Sequence, residues 1–267
     1  MRLAIDLGGT HLRIAVGSSV GSWTHFHKER RGAVFSPDDL LECLRIHLNN
    51  WQLKPASIGI SVAAVVGETG YLVAAENLGW SNVPLGHILR QAFSCPVVVE
   101  TDVYCGAYYE LKHGIVQHHS SALYVSVGTG IGHAVIIDGK IWRGAHGAAN
   151  ALGHMVLQPD GIQCYCGHKG CLCTVASGRA QEQSNSSGKS PIEALAQAIA
   201  SAVTLLEPEV VVLSGGALKQ SWFDLCTLVA AISSFSYPAV RLPEVFLSEQ
   251  NEPNLLGAFL LTQELKQ

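Results

Sequence analysis

The sequence predicts an α/β protein of two lobes, and three observations carry that prediction. Short buried-strand patterns alternate with amphipathic helical patterns along most of the 267 residues. A unit of strand, glycine-rich turn and strand occurs twice, first in "LAIDLGGTHLRIAV" and again in "LYVSVGTGIGHAVII". Finally, "CYCGHKGCLC", Cys164 to Cys173, packs four of the chain's eight cysteines into ten residues.

Taken in order, the elements begin with two apolar runs joined at Gly8 and Gly9, a hairpin more than a strand-to-helix crossover. Ser36 caps and Pro37 opens a helix whose Leu40, Leu41, Leu44 and Leu48 share one face. "SIGISVAAVV" reads as a buried strand, "VPLGHILRQAF" as a helix and "CPVVVET" as a strand. "VYCGAYYELKHG" reads as a helix closed by Gly114. In the second half, Asp138 and Gly139 supply the hairpin turn after the repeated unit. "SGRAQEQSNSSGKSP" lacks apolar anchors and is expected to be a surface loop. Pro191 then opens a helix through "IEALAQAIASAVTLLEPE", which feeds the buried strand "VVVLSGG". The lobes are placed at residues 1–115 and 116–250, with a helix over 251–267 returning to the first, and a cleft between them is expected.

Composition bounds the function. With 48% hydrophobic and 14% charged residues the chain can bury a large core. A formal charge of -4 without a long basic run gives no electrostatic reason to expect nucleic acid. Asp6 interrupts the first apolar run, and no run reaches the roughly 20 residues a membrane span needs. A cytoplasmic protein without membrane or nucleic-acid partners is expected.

In a reducing compartment the clustered cysteines read as metal ligands. Either the four cysteines, or three of them with His154, could complete a tetrahedral zinc shell, and Gly167 and Gly170 would let the backbone turn tightly enough. A filled shell would make the metal architectural. The turns "DLGGTH" and "SVGTGIGH" could cradle phosphate through inward-facing amides, although each alone is also ordinary structural punctuation. Asp6, ending the first strand beside Thr10, is placed to position hydrated magnesium. Asp102 ends a buried run, where its carboxylate can cap the following helix. Glu100 reads as a packing-edge carboxylate, Glu110 as a solvated helix residue, and His133, His146 and His168 as loop residues.

These pieces together resemble the ROK family of bacterial sugar kinases and related repressors, within the wider actin-like and hexokinase-like ATPase fold. The segments that carry the resemblance are "AIDLGGTH", "NLGW", "ETDVYCGAYYE", "VSVGTGIG", "GAHGAANALGHMVL" with the cysteine segment, and "VVVLSGG". The resemblance implies zinc ligation by His154, Cys164, Cys166 and Cys171, with Cys173 outside the shell and the metal segment spanning 154–171. It implies Asp102 as general base, with Asn77, Thr101, Asp102 and His154 toward the sugar. Asp6, Gly8, Gly9, Thr10, His11, Gly128, Thr129, Gly130 and Gly132 fall at the phosphates, and Gly215 and Gly216 on the adenosine side. ATP, Mg2+ and Zn2+ are the implied cofactors and a homodimer the implied assembly.

Departures concentrate at the sugar. Cys173 and Ala151 stand where kinases of the family carry glutamates, and Thr101 replaces an asparagine before Asp102. Each lost charged hydrogen bond costs about 1.5–3 kcal/mol of binding. The segment after Ala180 is also short for the family. The start at "MRLAIDLGG" is expected to leave no room for the N-terminal DNA-binding domain of the family's repressors. The expected activity is ATP-dependent phosphorylation, at O6, of a hexose or N-acetylhexosamine: N-acetylmannosamine, glucose, allose and fructose are not distinguished. The alternative is a sugar- or nucleotide-binding protein of the same fold with little catalysis.

Overall fold

The computed structural model describes residues 1–32, 34–183 and 188–265. Contacts divide the chain into two compact units: Met1–Tyr109 with Ala145–Ala148 and Glu252–Gln267, and Glu110–Gly144 with Ala149–Asn251.

The first unit opens with strands β1 (Arg2–Leu7), β2 (His11–Ser19) and β3 (Ser22–Arg30), followed by helix α1 (Pro37–Asn50) and β4 (Ser57–Val62). A small three-stranded sheet, β5 (Val65–Val66), β6 (Leu72–Ala75) and β7 (Trp80–Val83), precedes α2 (Leu85–Phe93) and β8 (Val97–Thr101). Helix α3 (Asp102–His113) begins in this unit and ends in the next. The second unit contains β9 (Ala122–Val127), β10 (Ile131–Ile137), β11 (Lys140–Trp142), α4 (Cys173–Ala176), α5 (Gly178–Glu182), α6 (Pro191–Leu206), β12 (Val210–Ser214), α7 (Leu225–Phe235) and β13 (Glu244–Leu247). The last helix, α8 (Pro253–Glu264), belongs to the first unit.

The repetition read in the sequence is a repetition of topology. The main sheets run β3-β2-β1-β4-β8 and β11-β10-β9-β12-β13. In each, the first three strands pair antiparallel as a meander and the last two add in parallel. The parallel pairs need crossovers, which is why the helices follow the meander.

Local chemistry sets the ends. At α1, Ser36 Oγ accepts from the Asp39 amide and Asp39 returns the bond to the Ser36 amide, with Pro37 in the first turn. Asp138 and Gly139 both take left-handed backbone, at φ 52° and 67°, as a two-residue hairpin turn requires. On β1, period two sends Leu3, Ile5 and Leu7 to the core shared with α1 and α2, and Ala4 to the opposite face. That face is lined by small residues, so α8 approaches very closely. A Cβ on Gly59 would lie 2.0 Å from the Ala258 carbonyl oxygen, and one on Gly257 only 1.9 Å from that of Cys105.

Three local readings need correction. Gly114 does not close α3 with a left-handed turn, since its φ is −114°. Glycine is required there because a Cβ would sit 2.0 Å from the Glu110 carboxylate. Glu110 itself is buried, at 1% exposure, and accepts from the Ile115 amide and the Ser248 hydroxyl. The polar "SGRAQEQ" is also not all loop: Ser177 caps the short helix α5 by accepting from the Ala180 amide. Residues 188–190 of that loop reading carry no helix or strand, whereas 184–187 and the last two residues of the expected terminal helix lie outside the described residues. No helix among the described residues is long and apolar enough to cross a membrane.

Candidate functional site

In the first unit the parallel strands β1, β4 and β8 end together, and the unit's acidic candidates gather there. Strand register sets Asp6 beside Ser61, and Ser61 beside Glu100. The Ser61 hydroxyl donates to Asp6 Oδ1 at 2.9 Å, and Arg13, opposite Asp6 on β2, donates to Oδ2 at 2.8 Å. Arg13 also pairs with Glu252, which pairs in turn with Lys28. Burial pushes the Asp6 carboxyl above its ordinary range, against the pull of Arg13 and the Ser61 hydroxyl.

Asp102 opens α3, with Oδ1 accepting from the Val103 amide at 2.8 Å. Burial, and then the charge of Asp6, push its carboxyl up to about 7 although the nearby amides pull it down. A carboxyl balanced near neutrality can accept a proton and release it again. Thr101 is 1% exposed and donates its hydroxyl to the Ala64 carbonyl, so that proton is committed inside the strand layer. Glu100 is buried too and accepts from the Thr101 amide.

The first glycine turn spans β1 and β2, with the Gly8 amide donating to the His11 carbonyl. Arg31, which the sequence reading did not single out, ties this turn to the "NLGW" loop. Its guanidinium donates to the carbonyls of Gly9 at 2.7 Å and Asn77 at 2.9 Å, while its amide donates to that of Thr10. In sequence it is only the end of a charged strand, "HKERR". His11 follows the turn, and burial foremost, then Arg13, holds its imidazole below the ordinary value.

In the second unit three glycine segments converge at the ends of β9 and β12. The Gly178 amide, at the start of α5, donates to Gly128 O at 2.8 Å. Gly215, at φ 110°, brings its backbone against Val127, where a Cβ would lie 2.2 Å from the carbonyl oxygen. Gly128 and Gly216 differ from it: neither has a positive φ, and a Cβ on either would meet nothing within 4 Å. Neither packing nor backbone conformation requires glycine at these positions, so they leave open space beside the backbone. Thr129 and Gly130 complete the turn, whose Gly128 amide donates to Gly130 O, and Gly132 follows on β10.

His133 lies on strand β10, not in a loop, because the β9–β10 pairing continues past the turn. Its Nδ1 accepts from the Leu152 amide and its own amide donates to Asn150 O. It thereby anchors the segment leading to His154. Beyond it, His154, Cys164, Cys166 and Cys171 place one ligand atom each within 4.8 Å of all the others, a set that can hold a metal ion. Gly167 and Gly170 turn the backbone at φ 93° and 67°, and a Cβ on Gly170 would overlap the Gln158 carbonyl. The sulfurs of Cys166 and Cys171 lie 3.6 Å apart, and Cys164 Sγ is 3.6 Å from His154 Nδ1. Burial alone would raise every thiol here; bonds from His168 and the neighbouring cysteines bring Cys166 down to about 7. Cys171, after burial and under the influence of Cys166, rises to about 12. A divalent cation would remove that conflict among adjacent thiolates.

Cys173 lies outside the cluster. Buried at the start of α4, its sulfur accepts from the Ile131 amide at 3.3 Å and leaves no room for a side chain on Gly153. Tyr165, not identified from sequence, meets His154 edge to face with ring centroids 5.1 Å apart, and the Arg179 guanidinium lies over its ring, 4.9 Å from the centroid.

Comparison with known proteins assigns the family. A glucokinase of Streptomyces coelicolor is 31% identical over 188 residues, covering 67% of this chain and 57% of its own length. A xylose repressor of Caldicellulosiruptor bescii is 34% identical over 187 residues, covering 67% of this chain and 47% of the repressor. The chain thus spans about half the length of these curated relatives. A ROK family glucokinase from Streptomyces griseus, solved with glucose and AMPPNP, superposes with a TM-score of 0.81 at 22% identity, over 99% of both chains. A ROK hexokinase from Thermus thermophilus gives 0.76 at 25% identity over 98% of both. Two five-stranded sheets of one topology, a His/Cys cluster beside the second, and a match to the ROK family profile over residues 2–194 lead to one assignment: the chain belongs to the ROK family.

Proposed function

We propose that the protein is an ATP-dependent carbohydrate kinase, transferring the γ-phosphoryl group to O6 of a hexose or N-acetylhexosamine. The observation that carries this reading is Asp102, a carboxyl pushed up to about 7 at the head of a helix beside a second buried carboxylate. Its role is to accept the proton of the attacking hydroxyl as that oxygen bonds to phosphorus and the bond to the ADP oxygen breaks. Thr101 holds the strand end that aims it, and Asn77, on the loop tied down by Arg31, contacts the sugar.

For the nucleotide, the assignment is made turn by turn. Gly8, Gly9, Thr10 and His11 in the first unit and Gly128, Thr129, Gly130 and Gly132 in the second are assigned to phosphate. Gly215 and Gly216 are assigned to the adenosine side. The open space at Gly128 and Gly216 supports this, since glycine there has no structural cause. Asp6, held by Arg13 and Ser61, keeps lone pairs for water on hydrated magnesium. When bound, magnesium neutralises charge on the phosphate oxygens.

Zinc is assigned to His154, Cys164, Cys166 and Cys171. With bonds of about 2.3 Å to sulfur and 2.0–2.1 Å to nitrogen, tetrahedral edges fall near 3.5–3.8 Å. The two observed separations of 3.6 Å match that spacing. Ligation through His154 Nδ1 leaves Nε2 as its group for a substrate hydroxyl.

The test is a coupled ATP-consumption screen across hexoses and acetylated hexosamines, run beside Asp102→Asn. One or more sugars are expected to accelerate ATP turnover in the native protein alone. One departure read in the sequence favours a second reading, a binding protein with little catalysis: Ala151 and the buried Cys173 stand where the family resemblance implies glutamates. Sugar binding without turnover above the Asp102→Asn background replaces the kinase with that reading. The homodimer implied by the family is tested by light scattering, where a monomer at micromolar concentration removes it.

A further inference from the structure

Strand β3 and helix α1 meet through polar side chains that none of the assigned chemistry uses. Along β3, Trp23, His25, His27 and Glu29 alternate with more exposed neighbours, so one face of this edge strand is turned inward. On α1 the leucines enter the core, while Cys43 and His47, with Trp51 at the helix's C-terminal cap, form a second stripe at spacing four. The two rows meet in register. His25 lies over Trp51 at a centroid distance of 5.0 Å, and His27 over His47 at 3.9 Å. Cys43 Sγ donates to Glu29 Oε1 at 3.3 Å, and Glu29 Oε2 lies 3.1 Å from His27 Nε2.

We propose that His27, Glu29 and His47 form a second metal site, for a divalent first-row transition ion, that fastens the edge strand to α1. One ligand atom from each of the three lies within 4.8 Å of the others, and all three side chains are partly buried. Two imidazoles and a carboxylate suit zinc, cobalt or nickel, and leave coordination positions for water. His27 and Glu29 are already near the edge of about 3.3 Å that bonds of about 2.0 Å impose. Cys43 orients the carboxylate from behind through its other oxygen, a positioning role. The stripe is otherwise a poor way to pack a helix on a sheet, because apolar residues at these positions would bury without polar partners.

The experiment is a zinc titration of the full-length protein by calorimetry, with total metal read by elemental analysis. About two zinc ions per chain are expected, falling to about one in His47→Gln and in His27→Gln. In Cys171→Ser, which disables the cysteine cluster, the histidine site is counted alone. The second equivalent should raise the melting temperature of the native protein and leave that of His47→Gln unchanged. Cobalt added to the chain loaded with one equivalent of zinc should give weak visible d–d bands without the intense thiolate charge-transfer band of a cysteine site. Saturation at one zinc in the native chain that is lost in Cys171→Ser overturns the proposal. So does a second equivalent that survives both histidine substitutions, since unchanged folding of those variants is checked by their retained first zinc.

Discussion

Asp102 concentrates the residue-scale chemistry. Its carboxyl is pushed from an ordinary value of 3.8 to about 7, first by burial and then by Asp6. Because a base must be ionised to act, kcat/KM should rise about tenfold per pH unit below 7 and level off above it. Asp102→Asn is expected to lose about 10²–10⁴-fold in rate while ATP affinity stays largely intact. The same shift has a consequence for stability. The folded chain holds this proton more tightly than the unfolded chain, so its contribution is present below about pH 4 and is lost as pH rises toward 7. Urea midpoints measured at pH 5 and pH 8 should therefore show a smaller loss with rising pH in Asp102→Asn than in the native protein. Gly128 and Gly215 provide a second contrast. Gly128→Ala should leave stability within about 0.5 kcal/mol, since nothing occupies the space, yet weaken ATP binding. Gly215→Ala should destabilise outright, because its φ is 110° and Val127 fills the position. Equal stability losses in the two variants would remove the argument that Gly128 is kept for a ligand.

At the scale of elements, α8 shows what close approach demands. Alternation on β1 turns its large side chains toward α1 and α2 and leaves Ala4 on the face that receives α8. Gly59 then allows β4 to touch the helix backbone, and Gly257 allows α8 to touch α3. Gly257→Val is expected to cost at least about 1–3 kcal/mol, measured by denaturant unfolding, since backbone cannot yield as a side-chain tip can. A change below 0.5 kcal/mol would mean that α8 packs differently. The cysteine segment makes a different demand. Cys173→Ser should retain about one zinc at the cysteine cluster, because that sulfur faces Ile131, whereas His154→Ala should lose it.

At the scale of the molecule, each unit carries a core of its own. Leu3, Ile5, Ile58 and Ile60 anchor one, and Leu123, Val125, Ile199 and Val211 the other, which also includes Cys164 and Cys171. Removing metal from the cysteine cluster should therefore loosen the second core and spare the first. Hydrogen exchange in Cys171→Ser, which disables that cluster alone, should lose protection over 150–180 and the adjoining strands, with β1 and β4 unchanged. Uniform loss across both units would show that their stabilities are coupled.

The chain's own pattern was enough for the α/β class, the repeated hairpins, the capped start of α1 and a metal-ligand cluster around Cys164–Cys173, while the choice of His154 over Cys173 came from the family resemblance. Each of these depends on neighbours close in sequence: alternation, a cap three residues from its partner, or ligands on one short looped segment. What was not legible arises between distant segments. Arg31 carries no signal in the sequence until Gly9 and Asn77 are seen to share its guanidinium. Glu110 reads as solvated until Ser248 arrives, and Gly114 as a helix stop until that carboxylate fills its side-chain space. His133 reads as a loop residue until strand pairing places it beneath Leu152. Local rules follow from bond geometry and hydrogen bonds within a turn or two. Which polar groups are buried, and therefore which pKa values move, depends on what packs over them from elsewhere in the chain, and that only the tertiary structure decided.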